Sequence, residues 1–104
     1  MLRRGRFHDV VRRQLDIFAG DEAQLLAEAS EADAAWTEAP REESEELFGD
    51  YQLVVDAIGE RLYDVREAYA ATLAEDAADE YRVAFDAAAL KRFRRLASFL
   101  EETE

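Results

Sequence analysis

The sequence predicts an all-α protein, folded as an antiparallel up-down-up bundle of three long helices. Alanine is the commonest residue and Val, Ile and Thr are few, a composition that favours helices. Apolar residues recur with the 3.6-residue period of a helix along three long segments. A single proline, Pro40, interrupts the chain and stops any helix that reaches it. At 104 residues we expect one domain, residues 1–104.

The first predicted helix runs from about Arg4 to Thr37. Its apolar face contains Phe7, Val10, Val11, Phe18, Leu25, Ala29, Ala32 and Trp36. Gly20 lies in the middle of this segment, but the apolar stripe keeps its phase across it, which favours one long helix. The alternative is a four-helix bundle that is broken at Gly20.

The second predicted helix, from about Glu42 to Ala74, has the most regular pattern. Its apolar face contains Leu47, Tyr51, Val54, Val55, Ile58, Leu62, Val65, Tyr69 and Leu73. Acidic residues occupy the opposite face. Because Pro40 is followed closely by Glu42 and Glu43, negative charge lies at the positive end of the helix dipole.

The third predicted helix runs from about Ala77 to Leu100, with Asp76 as its expected N-cap. Its apolar face contains Tyr81, Phe85, Ala88, Ala89, Phe93, Leu96, Phe99 and Leu100. In a three-helix bundle the N-terminal arginines lie level with the acidic residues 75–80, and the basic residues 91–95 lie level with acidic residues of the other two helices. Exposed pairs contribute only about 0–1 kcal/mol each, but their placement favours three helices over four.

Several polar residues lie within or beside the apolar stripes. They are Gln14, Asp21, Glu22, Arg66, Arg82 and Arg92. Counting along the three-helix bundle places Asp21 and Glu22 near Arg92 and Gln14 near Arg66. Because a buried charge is costly without a partner, we expect these groups to form a polar layer that fixes the register of the helices. A small polar pocket for a ligand is the alternative interpretation.

Three apolar side chains, Leu53, Tyr63 and Leu90, lie off the stripes. Single exposed apolar residues are normal on a protein surface. A domain of this size buries only about two thirds of its surface, however, so a second copy could usefully cover more. We therefore interpret these three residues as a possible homodimer interface.

No group of residues in the sequence predicts catalysis. The chain has no cysteine and one histidine, His8, which excludes thiolate chemistry and multi-histidine metal sites within one chain. Neither a Glu-x-x-His motif nor a glycine-rich phosphate loop occurs. We therefore expect no catalytic residue, no cofactor and no metal ligand. We interpret the acidic run that starts at Glu42 as the solvent-exposed start of a helix. The alternative is that the protein binds a metal ion through carboxylates such as these.

The net charge of −12 disfavours binding to nucleic acid or to anionic lipid. No apolar run approaches the roughly 20 residues of a membrane span, and no secretory signal is recognisable, so we expect a cytoplasmic protein. These observations predict a non-catalytic helical interaction or adaptor module that forms homo-oligomers. The alternative is an acidic binder or inhibitor of a basic protein partner, acting as a nucleic-acid mimic.

Overall fold

The computed structural model describes residues 5–94, and all regular secondary structure in that range is helical. The helices are α1 (His8–Asp21), α2 (Ala23–Glu38), α3 (Arg41–Ala70) and α4 (Glu75–Arg92). The molecule is elongated, with extents of 50 × 26 × 26 Å. The 30 residues of α3 span about 45 Å and account for this length. The predicted all-α class is confirmed.

A single residue, Glu22, separates α1 from α2. Its backbone N–H donates to the carbonyl of Phe18 at 2.8 Å, and its carbonyl accepts from the N–H of Leu26 at 2.9 Å. Helical hydrogen bonding therefore continues across the junction, although Glu22 has φ −107° and ψ 26°. Gly20, the break expected in the four-helix alternative, lies inside α1. The four helices thus fit either four separate rods or three rods of which the first is bent.

Contacts between side chains show that α2 runs antiparallel to α3. Glu22, at the junction, forms an ion pair with Arg61 at 3.0 Å. Further along α2, the ring of Trp36 lies 5.0 Å from that of Phe48. Residues later in α2 thus contact residues earlier in α3. Since the direction of the chain is kept through Glu22, no reversal occurs in the first predicted segment.

Helix α4 lies beside α1 and runs parallel to it. Phe7, just before α1, packs edge-to-face against Tyr81, with ring centroids 5.6 Å apart. Near the other end, Phe18 packs edge-to-face against Phe93 at 5.8 Å. Tyr69 on α3 packs against Tyr81 at 4.8 Å, whereas Arg66, earlier in α3, bonds Asp86, later in α4. Helix α3 therefore runs antiparallel to α4 and to α1.

The ends of α3 and α4 differ from the sequence-based boundaries. Helix α3 ends at Ala70, four residues earlier than expected, and the hydroxyl of Thr72 donates to the carbonyl of Tyr69 at 2.7 Å in the following turn. The N-cap of α4 is Ala74, so Asp76, the predicted cap, lies instead in the first turn. Its charge still favours the helix dipole there. The predicted stripe beyond residue 94 lies outside the described residues.

The hydrophobic core lies where α1, α3 and α4 converge. Its largest fully buried side chains are Tyr81, Phe85, Leu15, Ile58, Leu62 and Val11. All except Leu15 belong to the predicted stripes. Helix α2 contributes a single fully buried residue, Ala29, to the described core. The α2–α3 half of the molecule therefore buries fewer side chains than the half that contains α4.

Candidate functional site

A buried ion pair joins α3 to α4. Nη1 of Arg66 donates to both carboxylate oxygens of Asp86, at 2.8 and 2.9 Å. Arg66 is 7% exposed and Asp86 is 9% exposed. Moving charges out of water costs several kcal/mol per ion, and close charge-assisted hydrogen bonds offset that cost. The pair therefore fixes the register of α4 along α3.

Glu67 extends this pair into a larger polar network. It accepts hydrogen bonds from Nε and Nη2 of Arg82 at 2.9 and 3.0 Å, and from Nε of Arg66 at 2.9 Å. Arg82 also donates to Asp79 at 3.1 Å. The hydrogen bonds from Arg82 and Arg66 hold the pKa of Glu67 below its usual value, although partial burial opposes them. The network therefore keeps Glu67 ionised.

Both arginines of the network are held in their charged forms. Burial alone would lower the pKa of Arg66, but the hydrogen bonds and charges of Asp86 and Glu67 outweigh burial and raise it. The hydrogen bond to Glu67 is the largest cause of the raised pKa of Arg82. Because every charge has an opposite charge in contact, the network is suited to joining two helices.

An open groove of about 880 Å³ runs along this network between α3 and α4. Its apolar lining consists of Tyr63, Val83, Ala87 and Leu90, which we call the outer patch. Val83 is 71% exposed and Tyr63 is 45% exposed. The guanidinium of Arg66 lies 5.0 Å from the centre of the Tyr63 ring, a cation–π contact that holds the ring in place. Polar and apolar groups thus meet at one preformed surface.

The structure brings two of the three predicted interface residues together. Tyr63 and Leu90 both belong to the outer patch, whereas Leu53 is 70% exposed elsewhere on α3 and does not line the groove. Sequence analysis missed Val83 as a member of this surface. The signal that could have identified it is the i, i+4, i+7 spacing of Val83, Ala87 and Leu90, which places all three on one side of α4.

The predicted polar residues are distributed over separate bridges between helices. Besides Arg66 and Arg82, Gln14 takes part in one of them: its side-chain carbonyl accepts from the hydroxyl of Tyr81 at 2.7 Å. Burial raises the pKa of Tyr81 to about 12, and the hydrogen bond to Gln14 opposes that effect. Gln14 therefore joins α1 to α4 and is hydrogen-bonded to Tyr81 in place of Arg66, although it lines a groove with Asp64 and Val65 at about the predicted height.

The predicted pairing of Glu22 with Arg92 is not the one that forms. Glu22 accepts two hydrogen bonds from Nη1 of Arg61, at 3.1 and 3.0 Å. Arg92 donates instead to Asp16 at 2.6 Å. Asp16 lies six residues before Glu22, about 9 Å along a helix, so the relative height of α4 was misjudged by that amount. Asp21 is exposed, beside Glu22 in a shallow groove between α1 and α3.

The described residues do not assemble a metal site. Among residues 5–94, no group of three or more histidine, aspartate or glutamate side chains is placed to hold a metal ion. The acidic run at the start of α3 consists of exposed side chains: Glu42, Glu43, Glu45 and Glu46. Within the same range, no helix has both the length and the apolarity that crossing a bilayer requires.

Comparison with known proteins gives no relative for this chain. No protein-family model, no curated protein and no solved structure matches it.

Proposed function

We propose that this protein is a non-catalytic helical interaction module that self-associates through the outer patch. The observation that supports this most directly is the exposure of a compact apolar set, led by Val83 and Tyr63, along the groove between α3 and α4. Apolar patches rimmed by polar residues are typical of protein interaction sites. Covering the outer patch removes its apolar surface from water, and that gain drives association.

The outer patch lies on a rigid support. The Arg66–Asp86 ion pair joins α3 to α4 directly beneath it, and the Arg66 guanidinium holds the Tyr63 ring. Groups that are ordered before binding lose little conformational entropy when a partner arrives. Tyrosine and arginine are also the residue types that dominate the binding energy of many interfaces. Both properties favour the outer patch as a docking face.

The edge of the outer patch suits contact between two identical copies. It carries both signs of charge, since the side chain of Arg82 is 36% exposed and that of Asp79 is 72% exposed. Asp79 and Arg82 are paired with each other within one copy, so this edge has little net charge and two identical edges can approach without strong repulsion. Because the patch is small, we expect a weak dimer whose population depends on concentration.

We also propose that α1 and α2 act as one rod that is bent at Glu22, which gives a three-rod, up-down-up bundle. The continuous hydrogen bonding through Glu22 and the common direction of α1 and α2 support this interpretation. The bend lets α1 pack on α4 while α2 packs on the first half of α3.

Sedimentation equilibrium over about a hundredfold range of concentration tests the self-association. We expect the wild type to move from monomer toward dimer mass and Val83→Asp to stay monomeric, because a carboxylate in the outer patch would be buried without a partner. Leu53→Asp is the matched control, since Leu53 is as exposed as Val83 (70% against 71%) but lies outside the patch. A monomeric wild type, or equal disruption by Leu53→Asp, would contradict the proposal.

The distribution of charge favours binding of a basic protein partner as a second function. Residues 23–60, which we call the acidic arm, contain eleven aspartates and glutamates and one basic residue, Arg41. They form α2 and the first part of α3. Two apolar side chains, Phe48 and Leu53, are 43% and 70% exposed on this arm. A surface of one sign with exposed apolar groups attracts a partner of the opposite sign and offers it contacts.

A labelled deca-arginine peptide tests this second function. Its affinity should fall steeply with added salt, because the attraction is between exposed charges. Glu45→Lys/Glu46→Lys, on the acidic arm, should weaken binding about tenfold. The matched variant Glu75→Lys/Asp76→Lys makes the same change in net charge at the start of α4 and should have a clearly smaller effect. Equal effects of the two double variants, or binding that does not respond to salt, would count against a dedicated site on the arm.

A further inference from the structure

A second groove, of about 500 Å³, lies between the parallel helices α1 and α4. It shares no lining residue with the outer patch. Its apolar lining is formed by Val11 and Leu15 on α1 and by Ala84 and Ala88 on α4. Two small alanines on one side leave room for side chains that enter from outside. We call this surface the α1–α4 groove.

Basic side chains stand on both edges of the α1–α4 groove: Arg12 on α1, and Lys91 and Arg92 on α4. Arg92 is engaged with Asp16. Within residues 5–94, neither Arg12 nor Lys91 forms an ion pair with a carboxylate. The chain has 25 acidic residues against 13 basic ones, so carboxylates are abundant, yet these two cations are left to solvent. The groove is therefore a locally basic site on an acidic protein.

The dimensions of the α1–α4 groove fit a short helix. Its lining runs from His8 to Leu15 on α1 and from Ala84 to Arg92 on α4. These stretches correspond to about 10–12 Å along a helix axis. A row of side chains at positions i, i+4 and i+7 of a third helix has the same length, and such rows anchor helices in apolar grooves.

We propose that the α1–α4 groove binds an acidic amphipathic helix of a partner protein. The apolar face of that helix lies on the partly exposed Ala84 and Ala88, over a floor formed by the buried Val11 and Leu15, and its carboxylates meet Arg12 on one edge and Lys91 on the other. A ligand with a single anionic head group would engage one edge and leave the other cation unpaired. Two cations on opposite edges instead match a helix that has carboxylates on both flanks.

The exposed acidic surface of α3 lacks the apolar row that the groove requires. Apart from Tyr63 in the outer patch, the exposed large apolar residues of α3 are Phe48 and Leu53, which are five residues apart and do not share a row. Leu53 is followed at i+3, i+4 and i+7 by Asp56, Ala57 and Glu60. A second copy of this chain therefore does not offer three anchors from that surface. A separate partner fits the groove better.

Fluorescence anisotropy with a labelled peptide of about 14 residues tests the proposal. The peptide carries leucines at i, i+4 and i+7 and glutamates on both flanks, and a second peptide has lysines in place of the glutamates. We expect the acidic peptide to bind and the lysine peptide not to bind. Arg12→Glu/Lys91→Glu should weaken binding of the acidic peptide at least about tenfold. Ala88→Leu, which fills the groove without changing charge, should also weaken it.

The matched control is Arg13→Glu/Arg94→Glu, which reverses the same number of charges at exposed residues that do not line the groove. It should change the affinity less than about threefold. Circular dichroism confirms that each variant is folded. Equal weakening by the two double variants would show a general charge effect and would overturn the proposal, as would failure of the acidic peptide to bind the wild type.

Two further results would assign the α1–α4 groove to another occupant. If dodecanoate below its micelle concentration binds with the expected dependence on Arg12 and Lys91 while the peptide does not, the ligand is an acyl anion. If Arg12→Glu/Lys91→Glu abolishes self-association, the occupant is a second copy. Because the groove and the outer patch share no residue, Val83→Asp should leave peptide binding unchanged, and the two proposals can fail separately.

Discussion

The Arg66–Asp86 ion pair offers the sharpest test of what holds α4 in register. Replacing Asp86 by leucine leaves the Arg66 guanidinium buried, with Glu67 as its remaining partner at 2.9 Å. Removal of one member of a buried pair typically costs 3–5 kcal/mol, and because Glu67 remains we expect about 3 kcal/mol. Arg66→Met should cost a similar amount, since it leaves the Asp86 carboxylate buried.

The double variant Arg66→Met/Asp86→Leu distinguishes pairing from general damage to the core. Two apolar side chains of similar volume can replace a buried ion pair at little cost, so we expect it to lie within about 1 kcal/mol of the wild type. The coupling energy between the two positions should then exceed about 2 kcal/mol. Asp79→Leu is the control, because the Asp79 side chain is 72% exposed and its loss should cost less than about 1 kcal/mol.

Urea unfolding followed by far-ultraviolet circular dichroism measures these changes. With an m-value near 1.5 kcal/mol/M, a loss of about 3 kcal/mol lowers the unfolding midpoint by about 2 M. If a single variant is too unstable to be measured, added sulfate strengthens the hydrophobic contribution to folding and keeps the variant folded. A loss below about 1 kcal/mol for Asp86→Leu, or a double variant equal to the sum of the two single variants, would refute the reasoning.

Four further outcomes are expected. Because the pKa of Glu67 is lower in the folded protein than its ordinary value of 4.5, the ionised carboxylate stabilises the fold above pH 4.5, and this stabilisation is lost as pH falls through the folded-state pKa. The difference in stability between wild type and Glu67→Gln should therefore shrink in acid, and a difference that stays constant with pH would contradict this. Burial raises the pKa of Tyr81 to about 12, so the neutral phenol stabilises the fold at pH 10.0 and below, and this stabilisation is lost as pH rises from 10.0 toward 12. Absorbance at 295 nm should show one phenol that ionises later than the others and that Tyr81→Phe removes. Ionisation of all four phenols near pH 10.0 would refute this. A Cβ at Gly20 or at Gly49 would meet no atom within 4 Å beyond its adjacent residues and its own helix backbone. Gly20→Ala and Gly49→Ala should therefore each raise stability by about 0.5–1 kcal/mol, and a loss at either position would show that its helix needs the glycine. Added NaCl should raise the melting temperature, because it screens repulsion within the acidic arm, and a melting temperature that falls with salt would show that attractive pairs dominate instead.

The helical stripes could be predicted because burial follows the helical period. Ile58 and Leu62 in α3 and Phe85 in α4 lie in predicted stripes and are fully buried. The junction at Glu22 could not be predicted in the same way. Its hydrogen bonds continue through the junction, so the phase of the stripe hardly changes there.

The partners of the polar residues were harder to predict than the helices. Periodicity assigns a residue to a face of its helix, but it does not fix how far one helix is shifted along another. The height of Arg92 was therefore misjudged, Gln14 was matched with the wrong partner, and Arg66 was not matched with Asp86. Packing of large rings, such as Phe18 against Phe93, sets that shift, and it is known only once the helices are assembled.

Intermolecular contacts measured by isotope-filtered nuclear Overhauser spectroscopy test the central claim most directly. The sample mixes isotope-labelled and unlabelled copies at a concentration where dimer is populated. If copies meet at the outer patch, cross-peaks should join the methyl groups of Val83 and Leu90 in one copy to the Tyr63 ring in the other. Cross-peaks confined to Leu53 or to the α1–α4 groove, or none at all, would contradict the claim.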